Sequence, residues 1–225
     1  SWMERTQLLI KEQGLERLIK AHVLIVGLGG VGSYAAEAIA RSGVGNITLI
    51  DGDSVDPSNR NRQLQALSST QGRNKSLLMA ERILDINPDC KLNVHERFMA
   101  PDDMKLLLKQ KFSYVVDAID SISPKLYLLH TAYYQNHKII SSMGAGGKMD
   151  PTQIQVVDIS KTHTCPMAQY VRKRLKYMTI YKGIQTVFST ELPAKHSIMR
   201  TDGSKFKKSA YGTISYLPAA FGLTC

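Results

Sequence analysis

Gly27, Gly29 and Gly32 stand at G-x-G-x-x-G spacing directly after the apolar run 23–26. That spacing can hold phosphate. The first glycine permits a tight turn, and the second lets a phosphate come against the backbone. The third lets the following helix pack on the strand, with its free N–H groups facing the anion. Asp51 lies 19 residues past Gly32 and closes a second apolar run, 47–50. A carboxylate there can accept hydrogen bonds from the two hydroxyls of a ribose, or simply start a loop. Gly30 and Asp53 belong to the same two turns and are assigned to the nucleotide with them.

The cations separate two phosphate chemistries. Residues 57–63 are Pro-Ser-Asn-Arg-Asn-Arg-Gln, and Lys75 follows Gly72. A nicotinamide dinucleotide needs few cations beyond the helix N-terminus. Arg62 and Lys75 suit a triphosphate and the charge that develops on it. Asp120 follows the apolar strand around Val115 and Val116, where a carboxylate can hold Mg²⁺ against phosphates. Asp117, inside the strand end, is assigned to structure.

The elements that must position these residues follow from pattern. Residues 4–19 have helical spacing, with Gly14 expected to break them into two pieces. Strands are expected at 22–27, 46–51, 91–96, 113–117 and 138–142, and helices at 31–42, 73–86, from Pro101, and at 123–136. This alternation predicts a Rossmann-like, doubly wound, mostly parallel α/β sheet. After the glycine-rich turn 144–147 the pattern changes. Strands at 153–157 and 185–189 form an antiparallel extension, and Pro166 opens a basic helix over 166–176. Residues 193–214 are expected to be irregular or short strands, and the apolar run 217–225 a helix that continues past Cys225. The expected organisation is a nucleotide-binding core, 4–143, and a basic extension, 144–225, packed on the same domain.

Composition narrows the class. The 225 residues suffice for a full core, and no run of about 18 apolar residues suggests a membrane span. Ser1 and Trp2 before Met3 are set aside as a non-native leader. Cys90, Cys165 and Cys225 are few, widely spaced and without C-x-x-C, which fits a reducing cytoplasm and argues against structural zinc. The net charge of +10 is lopsided. Residues 161–225 hold 11 Lys/Arg against 2 Asp/Glu, whereas 1–160 are nearly balanced. Such asymmetry points to a polyanionic partner, nucleic acid before membrane; a solvated lysine-rich face is the plainer alternative.

Val-Gly-Leu-Gly-Gly-Val-Gly (26–32), Gly-Val-Gly-Asn-Ile-Thr-Leu-Ile-Asp (43–51), Ser-Asn-Arg-Asn-Arg-Gln (58–63), Gly-Arg-Asn-Lys (72–75) and Asp-Ala-Ile-Asp-Ser (117–121) occur in that order. They resemble the motifs of the ubiquitin-activating-type adenylyltransferases, which include activators of the bacterial molybdopterin and thiamine sulfur carriers. The resemblance implies carboxylate activation by MgATP, with Asp51 on the ribose, Asn59, Arg62 and Lys75 on the phosphates, and Asp120 on magnesium. It also implies a homodimer in which Arg5 reaches the neighbouring subunit's triphosphate; Arg5, Arg62, Lys75 and Asp120 are the expected catalytic set. Ser-Ile-Ser-Pro-Lys (121–125), the run 143–156, Asp-Ile-Ser-Lys-Thr (158–162), the basic helix with Arg172, Lys173, Arg174 and Lys176, and Val-Phe-Ser-Thr-Glu (187–191) resemble the tRNA threonylcarbamoyladenosine dehydratase branch. That branch implies tRNA as partner, bound by the basic helix. Its substrate is the threonylcarbamoyl carboxylate on the adenosine beside the anticodon, and activation leads to a cyclic form. A link to a cysteine desulfurase and its sulfur acceptor is implied as well.

Two departures stand out. Cys165-Pro166 replaces the Asp-Pro common at this helix start, so Cys165 is a capping or packing residue or, as a lesser reading, a thiolate. Residues 177–184 align poorly. Lys125 and the turn 144–147 can each reach substrate or serve structure alone. An alkali-metal site near that turn stays open. His130, His137, His163 and His196 show no ligand spacing. The rivals to a dehydratase are a sulfur-carrier adenylyltransferase, a NAD-linked oxidoreductase and a non-catalytic RNA-binding module.

Overall fold

From Val23 onward every residue of β1 (His22–Val26) is buried. Leu24 and Val26 face one core, while Val23 and Ile25 face another. A strand apolar on both faces is the central strand of a sheet covered by helices on both sides. The computed structural model describes residues 1–200 and 209–225. It is an α/β structure built on β1, β2 (Asn46–Ile50), β3 (Lys91–His95), β4 (Tyr114–Asp117), β5 (Ile139–Ser142), β6 (Ile154–Asp158) and β7 (Gln185–Ser189). These seven strands form one sheet in the order β3-β2-β1-β4-β5-β7-β6. All neighbours are parallel except β6 and β7, which are antiparallel, as the sequence leads one to expect. The strand order reverses direction between β1 and β4. In open α/β sheets, the carboxyl edge at that reversal is where ligands bind.

Helices α2 (Gly32–Arg41), α3 (Lys75–Ile86) and α7 (Tyr216–Thr224) cover one face; α4 (Pro101–Leu107), α5 (Ile122–Tyr134) and α6 (Pro166–Tyr177) cover the other. Their starts follow ordinary capping chemistry. The Asn74 side chain accepts from the backbone N–H of Ser76 and Leu77 at the start of α3, and Pro101 and Pro166 occupy first-turn positions. The short strands β8 (Ile198–Arg200) and β9 (Ser209–Tyr211) pair antiparallel, in agreement with the expectation for 193–214; positions 201–208 lie outside the described residues.

The N-terminal helix differs from expectation. α1 (Glu4–Lys20) is interrupted at Lys11, at φ +60° and ψ 177°, not at Gly14. Gly14 has another use: a Cβ on it would sit 2.7 Å from Ile10 Cβ, so its bareness admits Ile10 across the break.

Candidate nucleotide site

The chain leaves β1 into the glycine turn. Gly27 has φ +88°, and a Cβ there would meet the Ala118 carbonyl oxygen at 2.8 Å. A Cβ on Gly32 would come within 1.8 Å of the Gly27 carbonyl oxygen, so only glycine lets α2 start this close to the strand. Gly29 is different. A Cβ there would find only the Gln63 amide nitrogen, at 3.8 Å, so its outer face is open. Gly30 lies against the Arg62 backbone and Pro218 of α7.

The acidic side is tied to the same turn. Asp51 Oδ2 accepts from Leu28 N–H at 2.6 Å, and Oδ1 accepts from Asp53 N–H at 2.8 Å. Each oxygen keeps a second lone pair that can accept a hydroxyl. The Lys75 side chain is only 6% exposed, and its Nζ meets Asp53 Oδ2 at 3.2 Å. Asn59 orders the loop: its Oδ1 accepts from Asp56 N–H, and its carbonyl accepts from the N–H of Arg62 and Gln63. Arg62 is half-buried and donates to the Ser58 carbonyl and to Asn61 Oδ1. Asp120 is exposed two residues past Ala118, which packs on Gly27 and Gly32. The structure thus gathers Gly27, Gly29, Gly30, Gly32, Asp51, Asp53, Asn59, Arg62, Lys75 and Asp120 at one edge of the sheet.

Arg5 does not join them within its own chain. Met3, two residues earlier, packs on Gly43 just past the far end of α2, roughly 15 Å of helix from Gly32. Lys125 is removed from any substrate. It is fully buried, and its Nζ bonds Asp117 Oδ2 at 2.5 Å, Ser142 O at 2.9 Å and Ser141 Oγ at 3.2 Å. Asp117 is therefore structural, as expected, and Lys125 is its partner. On the basic helix, Arg172 turns inward to the carbonyl and hydroxyl of Thr162, whereas Lys173, Arg174 and Lys176 are exposed.

Sequence reasoning passed over three residues here. Gln63 and Gln65 flank the glycine turn; Gln65 Nε2 donates to Leu28 O, and the buried Oε1 of each glutamine lacks a protein partner. Their position beside Arg62 was the available signal. Lys148 Nζ donates to Gly144 O at 2.8 Å and so ties the glycine-rich turn after β5. Burial pushes its ammonium below the usual lysine range, against the pull of the Glu191 carboxylate. Nothing in a lysine's spacing announces such burial.

The open face of Gly29, the orphaned glutamine oxygens, Asp51 and the Lys75–Asp53 pair fit a nucleoside phosphate. Magnesium fits more narrowly. Among the described residues no group of three His, Cys, Asp or Glu side chains could hold a metal ion. Mg²⁺ is commonly held by one or two carboxylates together with phosphates and water, and Asp120 suffices on those terms.

Asp51 makes the site pH-sensitive. Burial raises its pKa above the usual 3.8, while the Asp53 and Leu28 N–H groups and Lys75 pull it down. Nucleotide affinity is therefore expected to fall on acidification through a value above 3.8, as Asp51 loses its acceptor character. Unfolding does not explain such a loss. A carboxylate whose pKa is raised on folding adds stability at low pH and loses it as pH rises. Titrating ATP affinity against pH checks this: Asp51→Asn should bind more weakly and without that acid step, and an identical step in the variant would refute the assignment.

Comparison with known proteins agrees with the geometry. The model of the ThiF family matches residues 4–224. The tRNA threonylcarbamoyladenosine dehydratase of Bacillus subtilis is 48% identical over 189 residues, 84% of this chain and 74% of that protein. The Escherichia coli protein of the same name is 46% identical over 203 residues, 85% and 75% of the two chains. A crystal structure of E. coli tRNA N6-threonylcarbamoyladenosine dehydratase in complex with ATP superposes with a TM-score of 0.88 at 40% identity, covering 98% of this chain and 88% of that one. The chain belongs to the ThiF family and, within it, to the tRNA threonylcarbamoyladenosine dehydratases.

Proposed function

We propose that this protein dehydrates threonylcarbamoyladenosine in tRNA, using MgATP to activate the carboxylate of the modification. The observation that carries the reading is the open backbone at Gly29 beside the buried Lys75 and the ribose-ready Asp51, all at the reversal point of the sheet. Bound ATP supplies what a carboxylate lacks, a good leaving group, by transfer of AMP or phosphate to its oxygen. The chain's own work is electrostatic and positional. Asp51 accepts from the ribose, and the α2 N-terminus with Asn59, Arg62 and Lys75 faces the phosphates. Asp120 would hold a magnesium ion, which would neutralise phosphate charge. A neighbouring nitrogen or oxygen of the same modification attacks the activated carboxyl carbon, loses its proton and expels AMP or phosphate with the carboxylate oxygen, so proximity does what a protein nucleophile would otherwise do.

The reading extends to partners. Leu8 and Leu9 on α1 are 81% and 83% exposed, which supports a homodimer that covers them and delivers Arg5 to the neighbouring site. Residues 144–225 would carry tRNA on the exposed cations of α6. A sulfur-transfer partner and a cytoplasmic setting, where tRNA is found, complete the proposal.

The test is nucleotide turnover. AMP or ADP should appear only when tRNA carrying threonylcarbamoyladenosine is present; turnover driven instead by a protein with a Gly-Gly tail would replace this reading with a sulfur-carrier adenylyltransferase. Charge reversal at Lys173 and Arg174 should weaken tRNA binding and reduce the slope of log affinity against log salt by about 2 or more. An unchanged slope in a salt titration would make α6 a solvated face. Arg172 is omitted because its guanidinium is committed to Thr162.

A further inference from the structure

Charge explains only half of the outer face of α6. Ala168, Val171 and Leu175 are buried in the core below it. Tyr170, Lys173, Arg174 and Tyr177, at i, i+3, i+4 and i+7, form the outward stripe and line a shallow groove of about 370 Å³. Tyr170 is 50% exposed and Tyr177 is 74% exposed. Exposed tyrosine rings add nothing to this chain's core. The spacing sets an aromatic ring beside a cation twice over, Tyr170 with Arg174 and Lys173 with Tyr177. The stretch that carries the helix is of one sign: residues 159–190 contain no Asp or Glu.

The stripe is held rigidly. α6 ends with Ile180 N–H on Leu175 O and Thr179 N–H on Lys176 O, the paired bonds of a Schellman ending. Thr179 takes the left-handed position at φ +62°, where a β-branched residue is strained. Its hydroxyl and the Tyr134 hydroxyl, 2.6 Å apart, hold it there. The other end of α6 abuts the substrate edge of the sheet, since Met167 Cβ and Cys165 Sγ lie 3.7 and 3.9 Å from where a Gly144 Cβ would be. Tyr177 stands eleven residues beyond Pro166, about 16 Å along the helix.

We infer that Tyr170 and Tyr177 are a stacking platform for unpaired bases of RNA, with Lys173 and Arg174 on the flanking phosphates. The inference rests on the tRNA reading above and makes it specific: the protein recognises the unpaired loop, not the paired stem. Duplex RNA hides its base faces, whereas a loop can lay them on aromatic side chains. A purely cationic face would take either.

The test uses the full chain and two labelled RNAs of equal length, an anticodon stem-loop and a fully paired duplex, read by fluorescence anisotropy across a salt series. Tyr170→Ala with Tyr177→Ala should weaken stem-loop binding about tenfold or more and leave duplex binding within about twofold. The salt slope should stay unchanged, because the phosphate contacts remain. Tyr170→Phe with Tyr177→Phe should restore stem-loop binding, since stacking needs the ring and not the hydroxyl. Unchanged stem-loop affinity in the alanine variant would overturn the inference. An equal loss on both RNAs would overturn it too, leaving a general polyanion or protein-docking face. Loss of water from the modified nucleoside, assayed on the wild type, keeps the two claims apart. If that reaction fails while the stacking signature appears, the platform stands and the dehydratase reading falls; if it succeeds while the alanine variant binds normally, the reverse holds.

Discussion

Lys75→Ala is expected to lower the rate of ATP-dependent turnover by about 10²–10³-fold, the usual loss when one preorganised charge is removed from a site of developing negative charge. Lys75 suits that role because it is held in advance. Its side chain is 6% exposed, its backbone N–H bonds Asp53 O at 3.0 Å, and it opens α3 directly after the Asn74 cap. No reorganisation is then needed as charge builds on the phosphates. The fold should survive the change. Asp53 is 47% exposed, so its carboxylate is solvated once the ammonium is gone, and such a pair contributes at most about 1 kcal/mol. Steady-state kinetics beside a denaturant melt and a tRNA-binding curve check this. Full turnover in Lys75→Ala would remove the residue from the phosphate site.

Lys125→Met is expected to destabilise the protein by about 3–5 kcal/mol, because it strands a carboxylate in the core. Asp117 and Lys125 are both fully buried, and the pair is closed by Ser141, the Ser142 carbonyl and the Ile119 N–H on Asp117 Oδ1. This network joins the ends of β4 and β5 to α5, next to the Ala118 contact that shapes the glycine turn. Replacing Asp117 with leucine in the same chain should recover part of the loss, since an apolar pair carries no uncompensated charge. Urea midpoints at constant slope measure both. A Lys125→Met variant within about 1 kcal/mol of wild type would show that the pair does not hold the core together.

The doubly wound, mostly parallel sheet and the nucleotide edge were legible because each rests on local chemistry. Apolar runs, their helical intervals and the glycine spacing are written in consecutive residues, and Gly27 and Gly32 meet the steric demands their spacing implies. The antiparallel pair β6 and β7 was legible for the same reason. What stayed hidden depends on contacts distant in sequence or indifferent to period. The direction of Lys125 is set by Ser141 and Ser142, on a strand that begins fourteen residues later. Arg172 lies on a helix whose outer face is basic, yet Thr162, ten residues earlier, draws it inward. The break in α1 falls at Lys11, with Gly14 accommodating Ile10 across it, which no tally of helix breakers shows. Tyr170 and Tyr177 look like ordinary helix residues until the buried stripe of α6 fixes which side faces water.

The dehydration itself can be read directly on the nucleoside. Transfer RNA carrying threonylcarbamoyladenosine would be incubated with the protein and MgATP, digested to nucleosides and weighed by mass spectrometry. The modified nucleoside is expected to lose one water, only with ATP present and not with Lys75→Ala. A nucleoside of unchanged mass, from a protein shown in the same sample to bind ATP and tRNA, would contradict it.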